Sequence, residues 1–254
     1  MRFAFVFSFA LVLLSSSVHS QIVNIEGKRM QTDSVRFVLN NDLYFSFDSI
    51  DDNDIYQISN GLSAQLKSKD LKKIYFLIGN YNLVHVENSD LRNSWLLHFR
   101  FNYKITRLFR FETFVQSQYN AFSNINRRNL VGAGLRFKII SEEKANLYVG
   151  NSYMYEFEKI DAIDKKFYNH RNSTYLSFNA TLSKSNISLL NTIYYQPLYA
   201  DFGNYRILEQ FKVEIPIGKR LNINTLFNYS YLSKTDHYDK QSTSSLSIGL
   251  GLKI

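Results

Sequence analysis

Apolar and polar residues alternate along most of this chain, from about Val35 to Ile254, with the period of two that is typical of β-strands. In one segment, residues 94–105, the odd positions are all apolar or aromatic and most even positions are polar or charged. One face of such a strand suits lipid and the other suits water. The same pattern recurs in residues 131–139 and 221–231. It predicts a transmembrane β-barrel.

The alternation divides the chain into twelve predicted strands. An even number is typical of single-chain bacterial barrels. The predicted strands span approximately residues 35–49, 55–67, 73–86, 94–105, 109–120, 129–140, 146–158, 172–183, 187–196, 204–215, 221–231 and 244–254. We therefore expect an all-β fold, an antiparallel up-and-down barrel over residues 35–254.

The connections between these strands differ in length on the two sides. Those after even-numbered strands are short and polar, namely residues 67–70, 106–108, 141–144, 184–186 and 216–219. Those after odd-numbered strands are mostly longer, notably residues 121–128, 159–171, 197–203 and 232–243. Outer-membrane barrels have short periplasmic turns and longer extracellular loops. Both chain ends are therefore predicted to lie in the periplasm.

Aromatic residues cluster near the predicted strand ends, as expected at the two membrane interfaces. Trp95, Tyr119, Tyr153, Tyr155, Tyr195, Tyr205, Tyr229 and Tyr231 lie beside the longer loops, and Tyr103, Phe109 and Phe137 lie toward the other rim. A soluble β-sandwich or a lipocalin-like barrel would have to expose one of two strongly aromatic faces to water. The membrane barrel is the favoured interpretation.

The first twenty residues have the features of a signal peptide. Arg2 supplies a positive charge, residues 3–14 are apolar except for Ser8, and residues 15–20 end in Val-His-Ser. The apolar stretch is shorter than the roughly 20 residues that a retained membrane helix needs. We predict cleavage between Ser20 and Gln21, export to the outer membrane, and a periplasmic segment at residues 21–34, which lacks the barrel pattern.

Composition narrows the alternatives further. The chain has no Cys, which excludes a disulfide framework and a lipid-modified cysteine. Removing residues 1–20 takes away one charge, so the net charge falls from +8 to +7. The basic residues form no single run, so nucleic-acid binding is not favoured. The mean hydropathy of -0.24 is uninformative, because apolar and polar residues alternate along the strands of a membrane barrel and their hydropathies cancel in the mean.

Several segments resemble a Bacteroidetes-type branch of the YdiY-like family of salt-induced outer-membrane proteins, which contain a domain of unknown function. The resemblance spans the mature chain and rests on residues 21–29, 79–84, 154–159, 170–178 and 194–207. It implies an outer-membrane barrel of undefined role. None of these segments is a catalytic signature, and the resemblance implies no site residues.

The parity of the strands predicts which polar side chains face the barrel lumen. The candidate lumen-lining residues are His98, Arg100, Lys104, Arg110, Glu112, Arg136, Lys138, Glu156, Arg206, Lys212 and Glu214, accompanied by Gln116, Gln118, Glu158 and Gln210. This set is mixed but net basic. Rings of Arg and Lys favour anions in channels, whereas charged side chains paired across a modest bore can fill it. A narrow anion-preferring or small-solute channel and a side-chain-filled structural or stress-related component both remain open.

Other chemistry has weaker support in the sequence. Outer-membrane lipid hydrolases also use twelve-stranded barrels. The segment of this chain that most resembles their catalytic residues is residues 170–173, His-Arg-Asn-Ser, but it lacks the spacing of a catalytic triad. His85, His98 and His237 have no ligand-spaced partners. Residues 51–54 lack the pattern of a calcium loop. We predict no catalytic, cofactor-binding or metal-binding residues and no cofactor.

The predicted partners follow from the membrane location. They are outer-membrane lipid and lipopolysaccharide, together with the outer-membrane assembly machinery. The alternating ending Leu246, Ile248, Leu250, Leu252 and Ile254 resembles the C-terminal strand that this machinery recognises, although the usual last residue is aromatic. The pattern does not define an oligomeric state.

Overall fold

A computed structural model of the chain describes residues 35–50, 53–86, 92–121, 125–142, 144–160, 165–234 and 240–253. Over these ranges, twelve strands pair antiparallel with their neighbours in sequence, and the first strand pairs with the last to close a barrel. This confirms the predicted fold class. The signal peptide, the segment 21–34 and Asp51–Asp52 lie outside the described residues.

The strands are long enough to cross a membrane. Their bounds are β1 (Phe37–Ile50), β2 (Asn53–Lys67), β3 (Lys73–Val86), β4 (Arg92–Lys104), β5 (Phe109–Asn120), β6 (Ile125–Ser141), β7 (Ala145–Ile160), β8 (Lys165–Thr181), β9 (Ser188–Leu198), β10 (Asp201–Pro216), β11 (Leu221–Leu232) and β12 (Gln241–Lys253). A transmembrane strand needs about 9–11 residues. Among the described residues, no helix is both long and apolar enough to span a bilayer.

Alternation separates the two faces of the wall. On β4, Leu97 is 51% exposed and points outward, whereas its neighbour His98 is 1% exposed and points inward. Some polar side chains also lie on the outer face, where lipid offers no hydrogen bonds. They pair with one another: the Nδ2 atom of Asn191 donates to the Oε1 atom of Glu209 at 2.9 Å.

The barrel closes along a short seam. The β1–β12 register runs from Asn40 opposite Lys253 to Phe45 opposite Ile248, which is six residue pairs. By contrast, β1 and β2 pair over fourteen residues, from Phe37 opposite Leu66 to Ile50 opposite Asn53. Among the described residues, the wall therefore has its fewest ladder pairs where the first strand meets the last.

Several of the predicted long loops are wrong. The predicted loop 159–171 is mostly strand, because β8 begins at Lys165, and the loop 197–203 shrinks to Tyr199 and Ala200. The predicted loop 121–128 shortens as well, since β6 begins at Ile125. Outside the bilayer both faces of a strand can be polar, so the period of two disappears from the sequence. The backbone N–H and C=O groups still need partners, and the ladder continues to Ile160 opposite Lys165.

The barrel interior as candidate functional site

The structure places all eleven candidate lumen residues on the inner face of the wall. His98, Arg100, Glu112, Arg136, Glu156 and Lys212 are buried. Lys104, Arg110, Lys138, Arg206 and Glu214 are half-buried. The buried members are grouped into three clusters of ion pairs, each named here after its central residue.

The Glu156 cluster lies toward the ends of β6, β7, β8 and β10 that adjoin the connections after odd-numbered strands. The Oε2 atom of Glu156 accepts hydrogen bonds from Nε of Arg128 at 3.0 Å and from Nη1 of Arg206 at 2.8 Å. Its Oε1 atom lies 3.7 Å from Nε of Arg171. Glu158 approaches Nη2 of Arg206 at 3.5 Å. Three guanidinium groups therefore share two carboxylates in a space where Glu156 is 0% exposed.

Neutral groups complete the Glu156 cluster. The Nδ2 atom of Asn169 donates to Oε1 of Glu156 at 3.2 Å. The guanidinium group of Arg171 donates to the carbonyl oxygen of Gln196 and to Oδ1 of Asn204, each at 3.3 Å. These bonds partly replace the water that a buried charge loses. The cluster is thus held from β9 as well as from the strands that supply its charges.

The Glu112 cluster lies nearer the other end of the barrel, which carries the turns after even-numbered strands. Nη1 of Arg100 lies 3.3 Å from Oε2 of Glu112, and Nη1 of Arg136 lies 3.7 Å from Oε1. The hydroxyl of Tyr175, on β8, donates to Oε2 of Glu112 at 2.9 Å. The guanidinium carbon of Arg136 lies 3.8 Å from the ring centre of Tyr148, in cation–π geometry. β5 and β8 are therefore joined across the lumen.

A row of buried polar side chains extends from the Glu112 cluster along β4 and β5. Nε of Arg100 donates to Nε2 of His98 at 3.4 Å, and Nδ1 of His98 lies 3.0 Å from Oε1 of Gln116. Arginine can only donate, so Nε2 of His98 must be the accepting nitrogen. Nδ1 then carries the proton and donates to Gln116. This geometry favours the Nδ1–H tautomer of His98.

The Lys212 cluster connects the seam to the rest of the wall. Nζ of Lys212 on β10 lies 3.2 Å from Oδ2 of Asp42 on β1 and 2.7 Å from Oε1 of Glu214. The Nδ2 atom of Asn224 on β11 donates to Oδ1 of Asp42 at 3.0 Å. These contacts join strands on both sides of β12, so they brace the short seam from inside.

Bulky side chains occupy much of the remaining interior. Phe76, Ile78 and Leu96 form one buried apolar cluster, and Tyr175, Tyr194 and Leu208 form another. Inward-facing glycines make room for some of the rings. A Cβ atom at Gly150 would lie 2.1 Å from the Tyr175 ring.

Sequence reasoning missed three charged members of these clusters. Arg128 and Arg171 belong to stretches that the sequence predicts as loops, and Asp42 lies on β1, whose inner face was not assigned. Strand parity could have identified two of them. Arg128 has the same parity as Arg136 on β6, and Arg171 has the same parity as Tyr175 on β8, so both are predicted to face the lumen.

The geometry also bears on the weaker candidates. His170 is exposed on the outer face beside Tyr153 and Tyr155, whereas Ser173 is buried on the inner face. The wall separates them, so they form no nucleophile–base pair. No group of three metal-ligating side chains occurs in the part of the chain that the structure describes.

A closed antiparallel barrel with an apolar outer face and a polar, ion-paired interior defines the class of outer-membrane β-barrels. A family described as "Protein of unknown function, DUF481" matches residues 52–254, and the chain belongs to this family. This confirms the YdiY-like family that the sequence predicts. No curated protein matches the chain.

Solved structures with the same fold include two with channel names. The NanC porin has a TM-score of 0.51 and 11% identity, covering 85% of this chain and 100% of its own. The COG4313 outer membrane channel from Pseudomonas putida F1 has a TM-score of 0.55 and 5% identity, covering 92% of this chain and 100% of its own. At such low identity the likeness is one of fold.

Proposed function

We propose that this protein is a structural or stress-related component of the outer membrane whose net-basic interior is largely filled by its own side chains. The Glu156 cluster is the observation that carries the proposal. Arg206 and Glu156 come from β10 and β7, two strands that are not neighbours, and their side chains meet inside the barrel at 2.8 Å. A hydrated bore at this level would keep such side chains apart.

The charge of the interior supports the net-basic part of the proposal. Ten cations are buried or half-buried on the inner face, namely Lys67, Arg100, Lys104, Arg110, Arg128, Arg136, Lys138, Arg171, Arg206 and Lys212. Five carboxylates share this face, namely Asp42, Glu112, Glu156, Glu158 and Glu214. The difference is five positive charges among the inward side chains that the structure describes.

A narrow channel that prefers anions or small solutes is the second candidate. The excess of inward cations favours it, because such groups select anions in pores. The two solved structures with the same fold also carry the names of a porin and a channel. We do not propose a lipid hydrolase, because the wall separates His170 from Ser173.

Conductance across a planar lipid bilayer tests the two candidates. The refolded wild-type protein should be electrically silent if side chains fill the interior. Ohmic steps with anion preference in the wild type would overturn the filled interior and support the channel.

Glu156→Gln sharpens this test. Among the described residues, the substitution leaves Glu158 as the only carboxylate that pairs with the guanidinium groups of this cluster. Breaking a buried pair costs roughly 3–5 kcal/mol, because it leaves a charge without compensation. In a filled barrel the variant should unfold at a lower urea concentration and admit an anion-preferring leak. In a hydrated pore, water screens the charge and stability should change little.

Glu142→Gln is the matched control. It removes the same charge from an exposed turn residue. Equal effects of the two substitutions on stability and on conductance would contradict the role given to the Glu156 cluster.

A further inference from the structure

One end of the barrel carries a ring of exposed cations. All five turns that follow even-numbered strands contain or adjoin a Lys or Arg, and this end also holds the start of β1 and the end of β12. We call these residues the basic rim: Lys69, Lys72, Lys73, Arg107, Lys144, Lys184, Lys219 and Arg220, all exposed. Among the described residues, no ion pair joins Arg107, Lys219 or Arg220 to a carboxylate.

Carboxylates offset part of this charge, because the eight cations of the basic rim share these turns with Asp70, Glu142 and Glu143. The turn after β2 contains one, Asp70, whose carboxyl group accepts hydrogen bonds from the hydroxyl of Ser68 and from the backbone N–H of Lys72. These bonds hold the pKa of Asp70 below its ordinary value, so the group stays anionic. It balances one of the three lysines in its own turn.

Exposed aliphatic side chains accompany the cations in the same turns. Ile105 is 54% exposed, Leu108 56% and Ile217 51%. Leu182 and Leu71 are exposed in two further turns. Leu71 also has a φ of 56°, in the left-handed region that disfavours a bulky residue. Burial within the protein therefore does not account for the presence of these aliphatic residues in the turns.

Aromatic side chains locate the membrane boundary close to these turns. Phe109 and Phe137 pack edge to face on the outer wall, with ring centres 4.9 Å apart, and Tyr103 lies outward beside them. Outward aromatic girdles mark the interface of an outer-membrane barrel. The turns begin only a few residues beyond it, so their aliphatic groups reach the acyl boundary while their cations lie at the level of the headgroups.

The opposite end of the barrel has a different charge pattern. Three of its connections, residues 51–52, 87–91 and 161–164, contain Asp and Glu but neither Lys nor Arg, whereas the connection 233–240 contains two lysines and two aspartates. The basic rim is therefore a property of one end and not a consequence of the overall positive charge.

We propose that the basic rim binds anionic phospholipid headgroups, of the phosphatidylglycerol class, in the periplasmic leaflet of the outer membrane. The cations contact the phosphates, and the aliphatic residues of the turns insert between the upper acyl segments. The assignment to the periplasmic leaflet rests on the proposed outer-membrane function and on the predicted orientation, in which the turns after even-numbered strands lie in the periplasm. Each cation near an anionic surface strengthens binding roughly fivefold.

Lipid capture by the full mature chain, residues 21–254, tests the inference. The protein is refolded into vesicles of phosphatidylcholine with a minor fraction of phosphatidylglycerol and extracted with its annular lipid, whose composition is measured by mass spectrometry. Phosphatidylglycerol should be enriched around the wild type, and high salt should reduce the enrichment. Absence of enrichment would overturn the inference.

A triple variant assigns the effect to the rim. Arg107→Gln with Lys219→Gln and Arg220→Gln should lower the apparent affinity for phosphatidylglycerol by more than tenfold. Lys165→Gln with Lys166→Gln and Lys240→Gln removes the same charge from the other end and should leave it unchanged. Heat-modifiable migration on gels shows that each variant has folded. Equal loss in the two triple variants would contradict the inference.

A parallel titration with lipopolysaccharide separates this inference from the orientation on which it depends. If the rim variant lost lipopolysaccharide binding while its phosphatidylglycerol binding was unchanged, the rim would face the extracellular leaflet and the inference would be wrong. Conductance is measured on the same preparations. Channel steps with intact lipid capture would overturn the filled interior alone.

Discussion

Gly150 shows how a single residue controls the packing of the interior. The ring of Tyr175 lies against it, and the hydroxyl of that ring reaches Glu112 at 2.9 Å. Any side chain at position 150 would occupy the space of the ring. The absence of a Cβ atom on one strand therefore permits a hydrogen bond between two others.

We predict that Gly150→Ala destabilises the barrel by about 1–3 kcal/mol, the usual cost of overpacking. The new methyl group displaces Tyr175 and weakens its bond to Glu112. Gly79→Ala is the control, since nothing lies within 4 Å of a Cβ atom there. It should be neutral or slightly stabilising. Urea unfolding followed by the fluorescence of Trp95, the only Trp, measures both, and a Gly150→Ala variant as stable as Gly79→Ala would contradict the packing.

At the scale of the strand, the seam between β1 and β12 decides whether the wall is a closed barrel or a curved sheet. Its six residue pairs are reinforced by Asp42, which receives contacts from Lys212 and Asn224 on β10 and β11. Closure removes the edges that would otherwise leave backbone groups unpaired in lipid.

The seam can be tested by cross-linking, because the chain has no Cys of its own. Leu43 and Leu250 are register partners, and both point outward. Their Cα atoms should lie within the 4.4–6.8 Å that a disulfide spans. We expect Leu43→Cys with Leu250→Cys to form an intramolecular cross-link on oxidation of the folded protein.

Leu43→Cys with Leu246→Cys is the control for this pair. Position 246 lies four residues along the strand from position 250, roughly 14 Å away at 3.4 Å per residue, and should not cross-link. A cross-link in the control but not in the register pair would show that the seam has a different register.

The described residues form three surfaces that differ in polarity and exposure. The outer wall is apolar, the interior is charged and internally paired, and the basic rim is charged and exposed. An apolar outer wall requires a bilayer, because the exposed aliphatic and aromatic side chains are far too many for water. The location in the outer membrane follows from this surface together with the fold.

Cell fractionation tests this at the scale of the whole chain. We predict a mature protein that begins at Gln21, is recovered in the outer-membrane fraction, and migrates differently on gels before and after heating. N-terminal sequencing checks the cleavage site. Recovery as a soluble periplasmic protein, or an N-terminus at Met1, would contradict the prediction.

The sequence by itself determined the wall of this barrel. The period of two predicts the strands, their even number and the face on which each side chain lies, because alternation follows directly from strand geometry. It predicts the bounds of β3 and β5 correctly. It failed where strands leave the bilayer, since residues 165–171 continue the ladder without an apolar face.

Only the tertiary structure decided which inward charges meet. Glu156 pairs with Arg128 and Arg206 at sequence separations of 28 and 50, and Lys212 pairs with Asp42 at a separation of 170. Such pairings depend on closure, on the register of each neighbouring pair of strands, and on the space left by glycines such as Gly150. Parity predicts that a side chain lies inside the barrel, but it does not predict the depth of its partner side chain or the direction from which that side chain extends.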